Sequence, residues 1–292
     1  MAEARTPETG RMNARVLSSL SLILFLFVLI YFTTFRELVT LWSTDDDYGH
    51  GFLVLPVCIY LLWKKRHEIS GSMSPSLWGM SLVVLWAALY TVGTVGYIST
   101  FIHLSMLVFI PAGVAVLVGS QAARAIALPM AFMVFMFPIP AEIYNRVTNP
   151  LLLISTTVSF HILSLLRVPV LQDGNLLTLP NYTMEVVQAC SGIRSMVSIM
   201  ALAFLMGYLA LRASLLRVGF FLLAVPTAIL GNVLRISITA LLVYHVSPQA
   251  AEGFSHTLAG ITTFAFSFIV LFGFLETILW FLKKRKALSS PQ

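Results

Sequence analysis

The chain has 292 residues, 58% of them hydrophobic and only 10% charged, with a mean hydropathy of +0.90. That is too little charge to cover a soluble globule of this size, which excludes an ordinary cytosolic enzyme. The excess of 18 Lys+Arg over 12 Asp+Glu would suit a nucleic-acid binder, but the basic residues fall in short clusters beside apolar runs, as topology signals do.

The pattern predicts an all-α polytopic membrane protein. Arg5, Arg11 and Arg15 precede an uncharged run over 16–35, which has spanning length and no small-x-small cleavage site, so it reads as a retained anchor behind a cytoplasmic tail, 1–15. Further apolar runs cover 51–63, 77–98, 101–119, 122–137, 150–166, 193–211, 218–244 and 257–282. The second is short and ends sharply at Lys64-Lys65-Arg66. Cys58 lies within it and reads as a small buried hydrophobe; with Cys190 the only other cysteine, no disulfide framework is expected.

Charge sets the orientation. The N-terminal arginines, Lys64-Lys65-Arg66, Arg124, Arg212/Arg217 and Lys283-Lys284-Arg285-Lys286 are expected on the cytoplasmic side, and Asp45-Asp46-Asp47 outside. Counted back from the C-terminus, the loops holding Cys190 and Ser255-His256 then share the outer face. That parity needs five spans before Cys190 where six runs are counted. The segment 145–167 is taken as the one that does not cross, because Asn145, Asn149, Thr156, Ser164 and Arg167 recur at helical spacing; it predicts an amphipathic helix in the outer interface. The expectation is about eight spans in a single domain, 16–282, with a basic cytoplasmic tail, 283–292. Between the interfacial helix and Cys190, a turn signal at Asp173-Gly174-Asn175 with partial alternation on either side predicts a short external β-hairpin.

Three polar positions stand out. Cys190, in Gln-Ala-Cys-Ser-Gly-Ile-Arg-Ser, precedes a helix whose positive N-terminus favours a thiolate, and Arg194 adds to that field; the alternative is a packed cysteine beside a snorkelling arginine. Arg235 lies well inside an apolar run with Asn232 on the same helical face, an expensive placement unless it is paired, hydrated or functional. A structural ion pair is the alternative, although carboxylates are scarce in the apolar runs. His256 stands at the outer boundary before the last run, either as an acid/base group or as an ordinary polar anchor. His50, His67, His103, His161 and His245 lack any comparable pattern, and Asp45, Asp46, Asp47 with His50 form an acidic turn before they form a metal site. Together a thiol, a guanidinium and an imidazole on one side suffice for acyl transfer through a thioester. No Gly-x-Ser-x-Gly, His-Glu-x-x-His or Walker sequence offers competing chemistry, and no metal or cofactor is expected.

These blocks resemble the exosortase/archaeosortase family of membrane transpeptidases. The resemblance rests on Ala189-Cys190-Ser191-Gly192-Ile193-Arg194, Asn232-Val233-Leu234-Arg235-Ile236, His256 before the final span, Tyr48-Gly49-His50-Gly51-Phe52 and Phe137-Pro138-Ile139-Pro140, and covers nearly the whole chain. It implies that Cys190 is the nucleophile, Arg235 steadies the oxyanion and His256 handles protons, with Arg194 and Asn232 in support. The implied partners are exported proteins carrying a C-terminal sorting signal of the PEP-CTERM type, an extracytoplasmic acceptor and the surrounding lipids, in a bacterial inner membrane. Gln188 and Gly49 depart from the family pattern; the first removes a carboxylate near the thiol, for which Glu185 is a substitute. The rivals are a transporter using Arg235 for an anionic solute, and a non-catalytic subunit for polysaccharide export.

Overall fold

The computed structural model describes residues 14–45, 48–69, 76–186, 193–247 and 254–289. The chain divides into two compact units, 1–139 and 140–292.

The first unit consists of α1 (Ala14–Thr44), α2 (Gly51–Lys64), the single turn α3 (Arg66–Ile69), α4 (Leu77–Val95), α5 (Ser99–Leu117) and α6 (Ser120–Phe132), the last tightening into a 3-10 turn at Met133–Met136. Between helices whose surroundings are as apolar as they are, close packing and buried hydrogen bonds replace the hydrophobic drive of water. Ile23 of α1 lies against Gly113, the Phe27 and Phe109 rings are 5.8 Å apart, and Tyr31 Oη meets Ser105 Oγ at 2.6 Å. Advance along α1 therefore matches retreat along α5, and the two run antiparallel. Trp86 Nε1 of α4 donates to the same Tyr31 hydroxyl at 2.8 Å.

The 3-10 turn is held from two sides. Trp42 Nε1, near the end of α1, donates to the Met136 carbonyl at 3.0 Å, and His50 Nε2, just before α2, lies 2.9 Å from the Phe135 carbonyl. These are helix-terminal carbonyls that no following turn satisfies. Cys58 is buried, its Sγ donating to the Pro129 carbonyl at 3.5 Å. His103 is buried too, its ring stacked on Phe137 with centroids 4.9 Å apart.

The second unit holds α7 (Ala141–Leu165), strands β1 (Leu171–Asp173), β2 (Leu176–Leu179) and β3 (Tyr182–Glu185), then α8 (Ile193–Ala210), α9 (Ser214–Leu222), α10 (Ala224–His245) and α11 (Phe254–Ser289). Met196 clusters with Ala228 and Val225, and further along α8 Ile199 and Ala203 cluster with Phe220 and Ala224, so α8 runs antiparallel to α9–α10. Gly231 sits against Thr263 and Ser267, while Leu271 and Leu275 reach Phe220 and Ala224, so α11 is antiparallel as well. In contrast, Leu151 joins the cluster at Ala228, Ser159 Oγ donates to the Val233 carbonyl at 3.2 Å, and Leu163 joins Ile236 and Ala240, which makes α7 parallel to α10.

Among the described residues, six helices are long and apolar enough to cross a membrane: Arg15–Thr44, Leu77–Val95, Ser99–Leu117, Ala141–Leu165, Ser214–His245 and Gly260–Arg285. Three shorter apolar helices, Gly51–Lys64, Ser120–Met136 and Met196–Ala210, complete the nine expected runs. The expected eight spans fall between six and nine, and the short helices decide the number; α2, with 14 residues, rises only about 21 Å at 1.5 Å per residue.

The segment 145–167, expected to lie in the interface, belongs to α7, whose length and composition would also let it cross a membrane and which lies lengthwise along α10. Its buried stripe is Thr148, Leu152, Ser155, Thr156, Ser159 and Leu163, whereas Asn145, Asn149, Ser164 and Arg167 are exposed. Four of the five residues of the expected polar stripe are thus exposed and only Thr156 is buried, while the hydroxyls of the buried stripe pack between helices. The expected hairpin is a three-stranded antiparallel sheet, β1-β2-β3. Its first turn is at Gly174, φ 59°, as the sequence signalled; the second is at Pro180-Asn181, where Leu179 pairs with Tyr182.

Candidate active site at the sheet end of the second unit

The sheet covers the C-terminal ends of α7 and α10. Leu177, Leu179 and Val186 pack with Leu163, Val168, Ile236, Ala240 and Val243, so one face of the meander is apolar and inward. Gln172 Nε2 donates to Thr157 Oγ1 at 3.0 Å and to the Gly174 carbonyl at 2.9 Å. At the far edge the Val186 N–H donates to the Asn175 carbonyl at 2.9 Å, and Asn175 Nδ2 returns a bond to the Val186 carbonyl at 3.2 Å. The chain is thus pinned through Val186, four residues before Cys190. Asn175 was read from the sequence only as part of a turn; its role as the anchor of the strand leading to Cys190 depends on a pairing across eleven residues that no local pattern announces.

Cys190 lies outside the described residues, as do Gln188 and the rest of 187–192. Arg194 falls in the first turn of α8 and His256 in the first turn of α11. Because both helices run antiparallel to α10, their N-termini lie toward the same end of the unit as the C-terminus of α10 and the sheet. Arg212, Arg217, Lys283, Lys284 and Arg285 are at the opposite end, where α8 and α11 finish.

Arg235 is on α10, partly buried. Ala228 packs at Met196 of α8 and Gly231 against Thr263 and Ser267 of α11, so the next residue on that helical face, one turn toward the sheet, is Arg235. With Met196 level with Ala228, the start of α8 at Ile193 is level with Gly231, within one turn of Arg235. The guanidinium-bearing position is therefore close to the N-terminus of α8, and the N-terminus of α11 lies about two turns further toward the sheet. Each N-terminus adds partial positive charge, so this end of the bundle favours an anion.

Asn232 is 1% exposed, and neither its amide nitrogen nor its oxygen has a hydrogen-bond partner among the described residues. Ser155, Ser237 and Ser267 carry buried hydroxyls in the same condition. A Cβ on Gly231 would stand 2.5 Å from Ser267 Oγ, so only glycine permits α11 to approach this closely. Buried polar atoms left unpaired cost about 1–3 kcal/mol each, a cost found at functional sites more than in scaffolding. The sequence pointed to Asn232 by its spacing from Arg235; Ser155 and Ser267, on other helices, carried no such signal. Glu185 ends β3 on the exposed side of the sheet, alternating with the half-buried Tyr182 and Met184.

The other histidines are accounted for in part by contacts of their own. His161 and His245 are exposed and edge-on to Phe160 and Tyr244. Asp46 and Asp47 lie outside the described residues, and the side chain of His67 is not described. Among the described residues no group of three or more His, Cys, Asp or Glu is placed to hold a metal ion.

Helices of spanning length in both units, with one small antiparallel sheet, define a polytopic all-α membrane protein. The family model described as transmembrane exosortase matches residues 42–273, and the chain belongs to that family. The match extends across both units. No curated protein and no solved structure matches the chain. Membership makes it one of the membrane transpeptidases that act in sorting exported proteins.

Proposed function

We propose that this protein cleaves C-terminal sorting signals of the PEP-CTERM type from exported proteins at the outer face of a bacterial inner membrane, through a thioester on Cys190, and passes the acyl group to an extracytoplasmic acceptor. The observation that supports the reading is the closeness of Arg235 to the start of α8, the helix that follows Cys190, at the end of the unit toward which α11, the helix of His256, also has its N-terminus. The basic residues at the opposite end of the unit support an extracytoplasmic site by the positive-inside rule.

In this reaction the Cys190 thiolate attacks the scissile carbonyl carbon, and the oxygen takes up the negative charge. Arg235 donates to that oxyanion, supported by the helix dipoles, and Arg194 holds the thiol toward its ionised form. The tetrahedral adduct collapses with loss of the tail's amine, which His256 protonates, leaving the acyl group on sulfur. His256, now neutral, takes the proton of the incoming acceptor as it attacks the thioester and expels the Cys190 thiolate. Asn232, whose amide has no hydrogen-bond partner among the described residues, offers that amide as a further donor to the oxyanion.

Co-expression of Cys190→Ala with a tagged substrate tests the reading: the tail is expected to remain attached, with no processed form. Cleavage at the wild-type rate would overturn it. A transporter built around Arg235 would instead tolerate Cys190→Ala and lose solute flux in Arg235→Lys.

A further inference from the structure

The hydroxyls on the buried stripe of α7 bond to backbone carbonyls. Thr148 and Thr156 Oγ1 donate to the Tyr144 and Leu152 carbonyls one turn back, at 2.6 and 2.8 Å, and Ser159 Oγ donates across to the Val233 carbonyl of α10 at 3.2 Å. Bonding to the preceding turn is the ordinary outcome for a serine or threonine inside a helix. Ser155 departs from it: the residue is 1% exposed, and its hydroxyl has no hydrogen-bond partner among the described residues. Asn232 on α10 is in the same condition at both ends of its amide. The two stand level with each other. Leu151 packs at the cluster of Met196 and Ala228, and α7 runs parallel to α10, so one turn on from Leu151 and Ala228 come Ser155 and Asn232. One turn back from Met196, along the antiparallel α8, is Ile193, the first residue of that helix. A serine hydroxyl, an asparagine amide and the start of α8 therefore share one level of a three-helix seam. Ser267 is outside this group, because it meets α10 at Gly231, about 200° round the helix from Val233 at ~3.6 residues per turn.

We propose that Ser155 is a positioning residue for acyl transfer: as negative charge develops on the scissile carbonyl oxygen, the Ser155 hydroxyl donates to Asn232 Oδ1 and so holds Asn232 Nδ2 toward that oxygen. The proposal rests on the reading of the chain as a sorting-signal transpeptidase with Asn232 as an oxyanion donor. A side-chain amide has two faces of opposite chemistry. Turned one way, it offers N–H donors to the oxyanion; turned the other, it sets a carbonyl oxygen against a negative charge. A hydrogen-bond donor on the far side of the amide decides between them, and the Ser155 hydroxyl is such a donor. On α10, Asn232 and Arg235 are about 60° apart, one on either side of Ala228, the residue that meets α8. Charge developing at the start of α8 thus lies between the two. The cost of leaving Ser155 and Asn232 buried and unpaired in the resting protein is recovered when the oxyanion forms and both become bonded, so their pairing stabilises the transition state and not the ground state. Catalytic hydrogen bonds that close only in the complex are a common pattern.

The test uses the full-length protein in lipid vesicles with a tagged sorting-signal substrate. Ser155→Ala is expected to lower kcat about tenfold with KM unchanged. Its unfolding temperature is expected to stay at the wild-type value, because the resting hydroxyl makes no hydrogen bond that is lost. In an Asn232→Ala background the same substitution is expected to slow the reaction no further, since no amide is left to turn. A loss of the same factor in both backgrounds, a raised KM with kcat held, a wild-type kcat, or a lowered unfolding temperature with normal turnover per folded molecule overturns the proposal. Cys190→Ala separates the two levels: if it still cleaves, the transpeptidase reading itself fails, whereas an inactive Cys190→Ala beside a Ser155→Ala protein of wild-type kcat removes only the role of Ser155.

Discussion

The two units treat their buried polar groups differently. In the first, Tyr31, Ser105 and Trp86 form a chain of hydrogen bonds, Trp42 and His50 hold the carbonyls at the end of the 3-10 turn, and Cys58 donates to Pro129. In the second, Asn232, Ser155, Ser237 and Ser267 are buried without hydrogen-bond partners among the described residues, within a few turns of Arg235. Satisfied networks suit a scaffold, whereas unsatisfied polar capacity near Arg235 suits a reaction site. Under the proposed function, the second unit carries the chemistry.

Mutations that remove function from one unit and stability from the other sharpen the contrast. The largest effect is expected for Arg235→Ala: loss of one oxyanion donor slows acyl transfer about 10²–10³-fold, read as processing rate against a folded, membrane-inserted protein. Gly51→Ala is next. A Cβ there would collide with the Trp42 indole, whose nitrogen holds the Met136 carbonyl, and the expected cost is about 1–3 kcal/mol of stability, measured as a lowered unfolding temperature in detergent. Trp42→Phe keeps the ring contact and leaves the Met136 carbonyl unpaired, costing about 1–2 kcal/mol, with the rate per folded molecule unchanged. The smallest stability effect is expected at Asn232→Leu, because the amide it removes makes no hydrogen bond that is lost: thermal stability unchanged or slightly raised, processing reduced. A large destabilisation by Asn232→Leu with normal turnover would erase the contrast between the units.

Much of the fold was legible in the residues. The apolar runs became helices, and Asp173-Gly174-Asn175 became a turn, because hydropathy and turn chemistry act locally. One expectation fell short because the sequence does not show which neighbour a segment meets: the hairpin has a third strand, formed where the chain turns at Pro180-Asn181 and β3 pairs with β2. In the candidate site, Arg235 with Asn232 was singled out by the cost of burying them in an apolar run, and both are at least partly buried. What could not be read was the parallel run of α7 beside α10, the Asn175–Val186 clamp and the Gly231–Ser267 contact, all of which join distant parts of the chain. Cys190 was recognised by residue type and by its place ahead of a helix, and it falls outside the described residues.

The central claim is that the acyl group passes through the sulfur of Cys190. Its most direct test is an acid quench of the enzyme during turnover of a tagged sorting-signal substrate, followed by mass spectrometry of the fragment that contains Cys190. The account predicts a substrate-derived acyl group on Cys190, released by hydroxylamine and accumulating when acceptor is withheld. Substrate cleaved at the normal rate with Cys190 unmodified throughout, or an adduct on another residue, would contradict it.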